Sequence, residues 1–543
     1  MTTVATGATF RTSGLIQLTR PQLLWTMVGL LLSVLLAALD QTIVGTAEPR
    51  IIASLSGFNR YAWVASAYLL TSTLAVPIFA KLSDMYGRKW FFLAGGAGFV
   101  ATSALCGAAG TVRFVPLDGM NQMILFRGLQ GVAAGMMMGL AFTIIGDIFS
   151  PAERGRYQGF FAATWGMASI FGPTLGGWLT DHVSWRACFY VNLPVGIVAT
   201  AAIYSQFPFW RPHGVKRVLD WLGLFTLIAF FAPLLLALTL VTDFGWGSVR
   251  VQLLLAVAAV MLAAFIYAET KAVEPLLPLS LFRNSVISMS SIAVFVLGMG
   301  MFGVIMYFPL FMQGVLGDTA TRSGSLLTPM MMGSVAGSII TGQLNLRLAS
   351  YKPSAVCGSI LVALGMILFA RMDASTTPAA VLTAMIVAGF GMGLLMPVYT
   401  VAVQNAAPAR HMGAATASTT FFRSIGSTLG VAIFGSVLLT NYHHDFARNV
   451  PAGVPDSALG AFSNPLLLAQ MRPQLEETFA HYSNGATILQ SLFANVRASL
   501  LHGLQLIFLG SAVIMCAAVV LNVLLKDVKL RRSHAPEPEV PVG

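Results

Sequence analysis

The sequence predicts an all-α membrane protein of fourteen transmembrane helices, built as two six-helix halves with two further helices inserted between them. Three observations predict it. Of 543 residues, 56% are hydrophobic and only 9% charged, whereas a soluble domain carries about 25% charged residues. So few charges cannot cover a surface in water, and the solvent of this chain is lipid. Fourteen stretches come close to the ~20 apolar residues that a spanning helix needs. Finally, three short motifs occur twice, in the same order and at similar offsets.

The first half follows a polar tail, 1–21, holding Arg11 and Arg20. Its spans are read at 22–45, 62–80, 90–110, 122–146, 158–179 and 187–207. The first apolar run is too long for the core of a signal peptide and is read as a retained span. A linker, 208–285, contains spans 220–241 and 251–268. The second half, 286–525, has spans at 286–311, 325–346, 354–371, 379–404, 420–440 and 502–525, with one long extracytoplasmic loop at 441–501. A basic tail, 526–543, closes the chain. With the N-terminus inside, nineteen Lys and Arg, including all seven lysines, fall in cytoplasmic segments; ten arginines fall outside, and Arg127 and Arg423 lie within spans. This asymmetry puts both termini in the cytoplasm of a cell-membrane protein. It also accounts for the net charge of +11 without any nucleic-acid partner.

The repeat joins "SPAERGRYQGF" (150–160) to "APARHMGAATA" (407–417), "GPTLGG" (172–177) to "GSTLGV" (426–431), and "AKLSDMYGRK" (80–89) to a degraded "GQLNLRLASYK" (342–352), at offsets of 257, 254 and 262 residues. Parallel halves around a central cavity are a transporter architecture. No phosphate-binding GxxxxGK[ST] loop occurs, which removes ATP coupling within this chain. No convergent nucleophiles or cofactor site appear inside the spans, so an enzyme is not expected. The four cysteines are scattered singly and imply neither a disulfide framework nor a metal site.

Four stretches together, "LDQTIVGTAEPRI" in span 1, "AKLSDMYGRK" after span 2, "LFRGLQGVAAG" in span 4 and "GPTLGG" in span 5, resemble the fourteen-helix drug:proton antiporters of the major facilitator superfamily, the EmrB/QacA type. The resemblance covers nearly the whole chain. It implies the major facilitator fold and proton-coupled efflux of small hydrophobic, often cationic compounds by alternating access, with no cofactor beyond the proton gradient, no metal, and a chain able to work as a monomer. Export of a lipid, siderophore or other endogenous metabolite is the alternative that these motifs do not separate.

The resemblance implies roles for particular residues. Asp40 follows nineteen uncharged residues and matches the family's membrane-embedded acid. Burial favours its protonated form and a nearby arginine its carboxylate, so a change of surroundings moves a proton; a static ion pair is the plain alternative. Arg127 and Arg423 are both candidate partners, because a charge inside the membrane usually has one. Asp84, Gly87, Arg88 and Lys89 form the cytoplasmic gating motif, in which acid and base latch the two halves; Ala80 replaces its usual leading glycine. Gly172, Pro173, Gly176 and Gly177 are the antiporter signature, a proline-bent and closely packed helix. Gln130 shares a helix face with Arg127, and Gly131, Gly135 and Gly139 form a packing stripe.

Other residues rest on position alone. Glu48 stands where the family has an aliphatic residue. Eight residues past Asp40 it is about 12 Å further along the helix, and Pro49 is expected to mark the outer end of span 1. Glu48 is therefore read at an outer gate, or as a hydrated acid paired with Arg50 or Arg60. Trp165, Phe302, Tyr307 and Tyr399 are candidate cavity aromatics. The segment 488–504 is amphipathic and is expected to lie on the outer membrane surface.

Overall fold

The computed structural model describes residues 16–527 except 17, 114, 150, 210–219, 274, 278, 349, 408–411, 452–453, 455–458, 460–461, 463–464, 467 and 482–483. The tails with Arg11, Lys529, Arg531 and Arg532, and the linker residues Arg211, Lys216 and Arg217, lie outside the described residues.

Helix α1 runs from Arg20 to Ser54. Its start is set by Thr19, whose amide donates to Gln22 Oε1 at 3.0 Å in a reciprocal cap. Contrary to expectation, Pro49 does not end it. A proline removes one helical hydrogen bond, and here the remaining ladder and close packing carry the helix five residues further. After a short 3₁₀ turn, Phe58–Arg60, α2 (Tyr61–Tyr86) stops at Gly87, whose φ of 105° is accessible to glycine and strained for other residues. The glycine of the gating motif is thus a backbone requirement. Helices α3 (Arg88–Gly107), α4 (Gly119–Ile148) and α5 (Pro151–His182) follow. The sixth span is broken into α6 (Ala187–Tyr190) and α7 (Asn192–Gln206). The inserted helices are α8 (Trp221–Phe244) and α9 (Val249–Lys271).

The second half comprises α10 (Ser285–Leu310), which ends in one π turn at Phe311–Val315, then α11 (Ala320–Leu348), α12 (Lys352–Ala370), α13 (Pro378–Ala406), α14 (Met412–Arg448), a short α15 (Leu468–Ala480) and α16 (Gly485–Leu524). Among the described residues, thirteen helices are long and apolar enough to cross a membrane, with α6 and α7 together counting as one. The 32-residue α5, which begins on the polar "PAERGRYQ", is not among those thirteen and packs against α1 and α11.

The long loop is shorter than expected. Helix α14 continues through His443, His444 and Asp445, and the stretch 488–504 is the first part of the 40-residue α16. Its apolar face, with Leu489, Leu492, Val496 and Leu500 all buried, packs on protein rather than on a lipid surface.

The two halves use the same joints. A Cβ at Gly172 or Gly176 of α5 would meet Thr42 Oγ1 at 2.0 Å or Ile43 O at 2.5 Å on α1. At the repeat offset, a Cβ at Gly426 or Gly430 of α14 would meet Phe295 O at 2.1 Å or Met299 O at 2.4 Å on α10. Likewise Gly131 and Gly135 of α4 rest on α2, where an added Cβ would come within 2.5 Å of Tyr68 O and 2.3 Å of Ser72 O, while Gly389 and Gly393 of α13 rest on α11, where one would be 2.0 and 2.1 Å from Met330 O and Ser334 O. These glycines exist so that backbones can touch.

Between the halves, α5 meets α11 and α2 meets α14. The contacts gather at the end where α1 finishes, the distal end. There Asp181 accepts from the Thr321 amide at 2.7 Å, Thr174 and Thr328 hydroxyls meet at 2.9 Å, and Tyr61 stacks on Tyr307 with ring centroids 5.3 Å apart. The last of the series along α5 is Gly166, whose Cβ would sit 3.4 Å from Val335. Continued at the same register, Gly159 of α5 would face Gly342 of α11; a Cβ at either begins in open space instead. The bundle is closed distally, and α5 and α11 part toward the end where α1 begins.

Candidate functional site

Asp40 lies twenty residues into α1 and is fully buried. Its Oδ2 accepts from Arg127 Nη1 at 2.6 Å. Its Oδ1 accepts from Gln130 Nε2 at 2.9 Å and from Asn192 Nδ2 at 2.8 Å. Arg127 also donates to Gln130 Oε1 at 2.8 Å, and its guanidinium lies 4.2 Å from the centre of the Tyr68 ring. One turn of α4 places Arg127 and Gln130 on the same face. The break between α6 and α7 brings Asn192 to Asp40, and Ser103 of α3 accepts from the same amide at 3.1 Å. Two amides and one guanidinium satisfy the carboxylate. A buried pair of this kind costs about 3–5 kcal/mol to break by removing one partner.

The pairing question left open by the sequence resolves toward Arg127. Arg423, on α14, is half-buried, donates to Met396 Sδ at 3.4 Å and meets no carboxylate among the described residues. It belongs to the other half. Asn192 was missed by sequence reasoning; the signal was a lone amide inside "FYVNLPVGIV".

Glu48 is not at a hydrated mouth. It is 1% exposed, and neither carboxyl oxygen has a hydrogen-bond partner. The two arginines expected beside it are elsewhere: Arg50 is exposed, and Arg60 pairs with Asp118 at 3.0 Å. The cause is the continuation of α1 past Pro49, which keeps Glu48 inside the closed distal end.

The gating motif is compact. Arg88 pairs with Asp84 at 2.6 Å, reaches Ser83 Oγ at 3.2 Å, and makes a close bidentate pair with Asp147 at the end of α4. Asp147 is the second residue missed by sequence reasoning. These contacts tie the α2–α3 turn to α4 of the same half. Lys89 lies 5.6 Å over the Tyr204 ring.

The antiporter signature works on two sides of α5. Gly172 and Gly176 admit α1, whereas Gly177 and Pro173 receive α11 of the other half: a Cβ at Gly177 would be 2.3 Å from Ala320 O, and one at Gly324 would be 2.0 Å from Pro173 O. Of the aromatics, Tyr307 and Tyr399 are core residues rather than cavity walls. Tyr307 donates to Val431 O at 2.7 Å, and Tyr399 is hydrogen-bonded to Asn522. Phe302 packs at the margin of the main core and Trp165 at the margin of the first half's core, both partly exposed.

With this geometry established, comparison with known proteins is decisive. The family profile described as Major Facilitator Superfamily matches residues 30–268 and 217–431. The chain belongs to that superfamily. It is 36% identical over 538 residues to the multidrug transporter protein MdtP of Bacillus subtilis, covering 94% of this chain and 95% of that protein. It is 38% identical over 433 residues to multidrug resistance protein 3 of the same organism, covering 80% and 82% of the two chains. Among solved structures it resembles a bacterial homologue of the human lysosomal transporter Spinster in an inward-facing, unoccupied conformation, with a TM-score of 0.62 at 14% identity, covering 94% of this chain and 99% of that one. That last likeness confirms the major facilitator fold.

Proposed function

We propose that this chain is a proton-coupled multidrug efflux transporter of the cell membrane. The observation that carries the reading is Asp40, a fully buried carboxylate held by donors on two other helices of its own half. Any movement of α1 against α4 or α7 changes how well the carboxylate is satisfied, and so binds or releases a proton. The relatives named as multidrug transporters support small hydrophobic, often cationic substrates. The lysine distribution supports cytoplasmic termini. On that orientation the open end faces the cytoplasm and the closed distal end faces out, an inward-facing stage of alternating access.

The test is reconstitution in liposomes with an imposed proton gradient and a fluorescent lipophilic cation. The native protein should accumulate or expel the dye with the gradient. Asp40→Asn should insert normally and lose gradient-driven movement. Full coupled transport by that variant would overturn Asp40's role; no gradient dependence in the native protein would overturn the coupled-efflux reading itself.

A further inference from the structure

Glu48 is a buried acid that the Asp40 cluster does not use. It lies on the face of α1 that meets α10 of the other half, beside a small cavity lined by Gln41, Gly45, Tyr68, Arg127 and Met306. Among the described residues, no charged or titratable neighbour donates a hydrogen bond to it. Asp40, two turns away on α1, holds Arg127. Arg127, in the same cavity, donates through Nη1 to Asp40 and Gln130 and through Nε to Val64 O. From α2, Tyr61 donates to Met306 O at 3.4 Å, and Tyr68 faces Arg127; from α10, Tyr307 donates to Val431 O. A bare carboxylate without one donor would cost several kcal/mol in such a place, a cost that the neutral acid avoids. The free space beside it is about 10 Å³, room for at most one water and far too little for an organic cation.

The cover over this acid comes from the other half. A Cβ at Gly45 would be 3.4 Å from Met306 Cε, and Gln313 donates to Thr46 O at 3.1 Å. Parting of α1 from α10 at the distal end withdraws that cover and admits water to the carboxyl group. We propose that Glu48 is a second proton-binding site, loaded while the distal end is closed and emptied to water when it opens. The O–H bond of the acid breaks, the proton passes to water, and a hydrated carboxylate remains. The proposal rests on the transport cycle above, but its site is separate from Asp40.

Two measurements test it on the full-length protein. In the purified native protein at neutral pH, infrared spectroscopy should show the carbonyl stretch of a buried carboxylic acid, and Glu48→Gln should remove it while Asp40→Asn should not. In liposomes, the ratio of protons to a neutral hydrophobic dye, taken from the balance of pH and voltage gradients that stops net flux, should fall by about one in Glu48→Gln, with transport still coupled through Asp40. An unchanged infrared band in Glu48→Gln, or an unchanged proton ratio, would overturn the proposal. The infrared arm needs no transport activity, so a failure of the efflux reading would not be mistaken for a failure at Glu48.

Discussion

The two six-helix halves share their joints and differ in their charges. Gly172 and Gly176 do in the first half what Gly426 and Gly430 do in the second. Yet the first half buries Asp40, Glu48, Arg88, Arg127 and Asp147, whereas the buried polar side chains described in the second half are serines, threonines and asparagines. A packing scaffold and a set of ionisable groups are therefore independent properties of one duplicated fold. Repeated glycines keep helices in contact; they place no demand on where the charges go. The first half carries the proton chemistry proposed here, and the second supplies the surface against which it moves.

The sharpest way to break this comparison is to remove one arginine from each half. Arg127→Met leaves Asp40 buried without its counter-ion, and we expect a loss of about 3–5 kcal/mol in stability together with loss of coupling. Arg423→Met removes a cation whose recorded contact is a thioether sulfur, and should cost less than about 1 kcal/mol. Thermal unfolding in detergent and gradient-driven dye flux would measure both. Equal losses would mean that the second half also carries charge-dependent function.

The gating motif offers a smaller contrast. In the first half, Arg88 is held by Asp84 and Asp147. In the degraded copy, no arginine stands at the matching position: Ser350 Oγ donates to Asp527 Oδ2 at 2.6 Å, and Ser354 Oγ donates to Asn345 Oδ1 at 2.9 Å. Asp147→Asn removes one acid from Arg88 while Asp84 remains, and should slow turnover several-fold while substrate affinity stays close to native. Asn345→Ala should change neither by more than about twofold, a neutral hydrogen bond contributing about 1 kcal/mol. Flux at saturating dye and equilibrium dye binding separate the two quantities. Weakened binding with unchanged turnover in Asp147→Asn would assign the motif to the substrate site.

These contrasts mark how far the sequence could be read. The spans, the repeat and the Asp40 cluster were legible because apolar length and intramembrane charge are strong local signals. Asn192 and Asp147 were not, since their importance lies in which helices meet, and an isolated polar residue near a span end has many ordinary explanations. Glu48 was misplaced for a physical reason: Pro49 reads as a helix end, but one lost hydrogen bond did not outweigh the packing around the last turn of α1. The same holds for the segment after span 13, where polar residues read as loop and the helices α14 and α16 instead run on past the apolar core.

The smallest effect concerns the helix caps, where the halves differ again by one charge. Asp118 caps α4, accepting from the Asn121 amide at 2.6 Å, and pairs with Arg60. Thr377 caps α13 in the second half, accepting from the Ala380 amide at 3.4 Å. Slight burial pushes the Asp118 carboxyl up, but the Asn121 amide and Arg60 outweigh it and hold the group below its ordinary value. A carboxyl lowered in the folded state stabilises fully above its unfolded pKa, about 3.9, and loses that contribution as pH falls through the folded value. The pair is largely exposed and screened, so its share is at most about 1 kcal/mol, comparable to the cap itself. Asp118→Ala should therefore lower stability by about 1 kcal/mol at pH 7, with the difference from native shrinking below about pH 4. Thr377→Ala should cost about 0.5–1 kcal/mol at every pH, because a hydroxyl does not titrate there. Unfolding midpoints of both variants across this range would show it, and a Thr377→Ala penalty that also faded with acid would deny that the charge of Asp118 sets the difference.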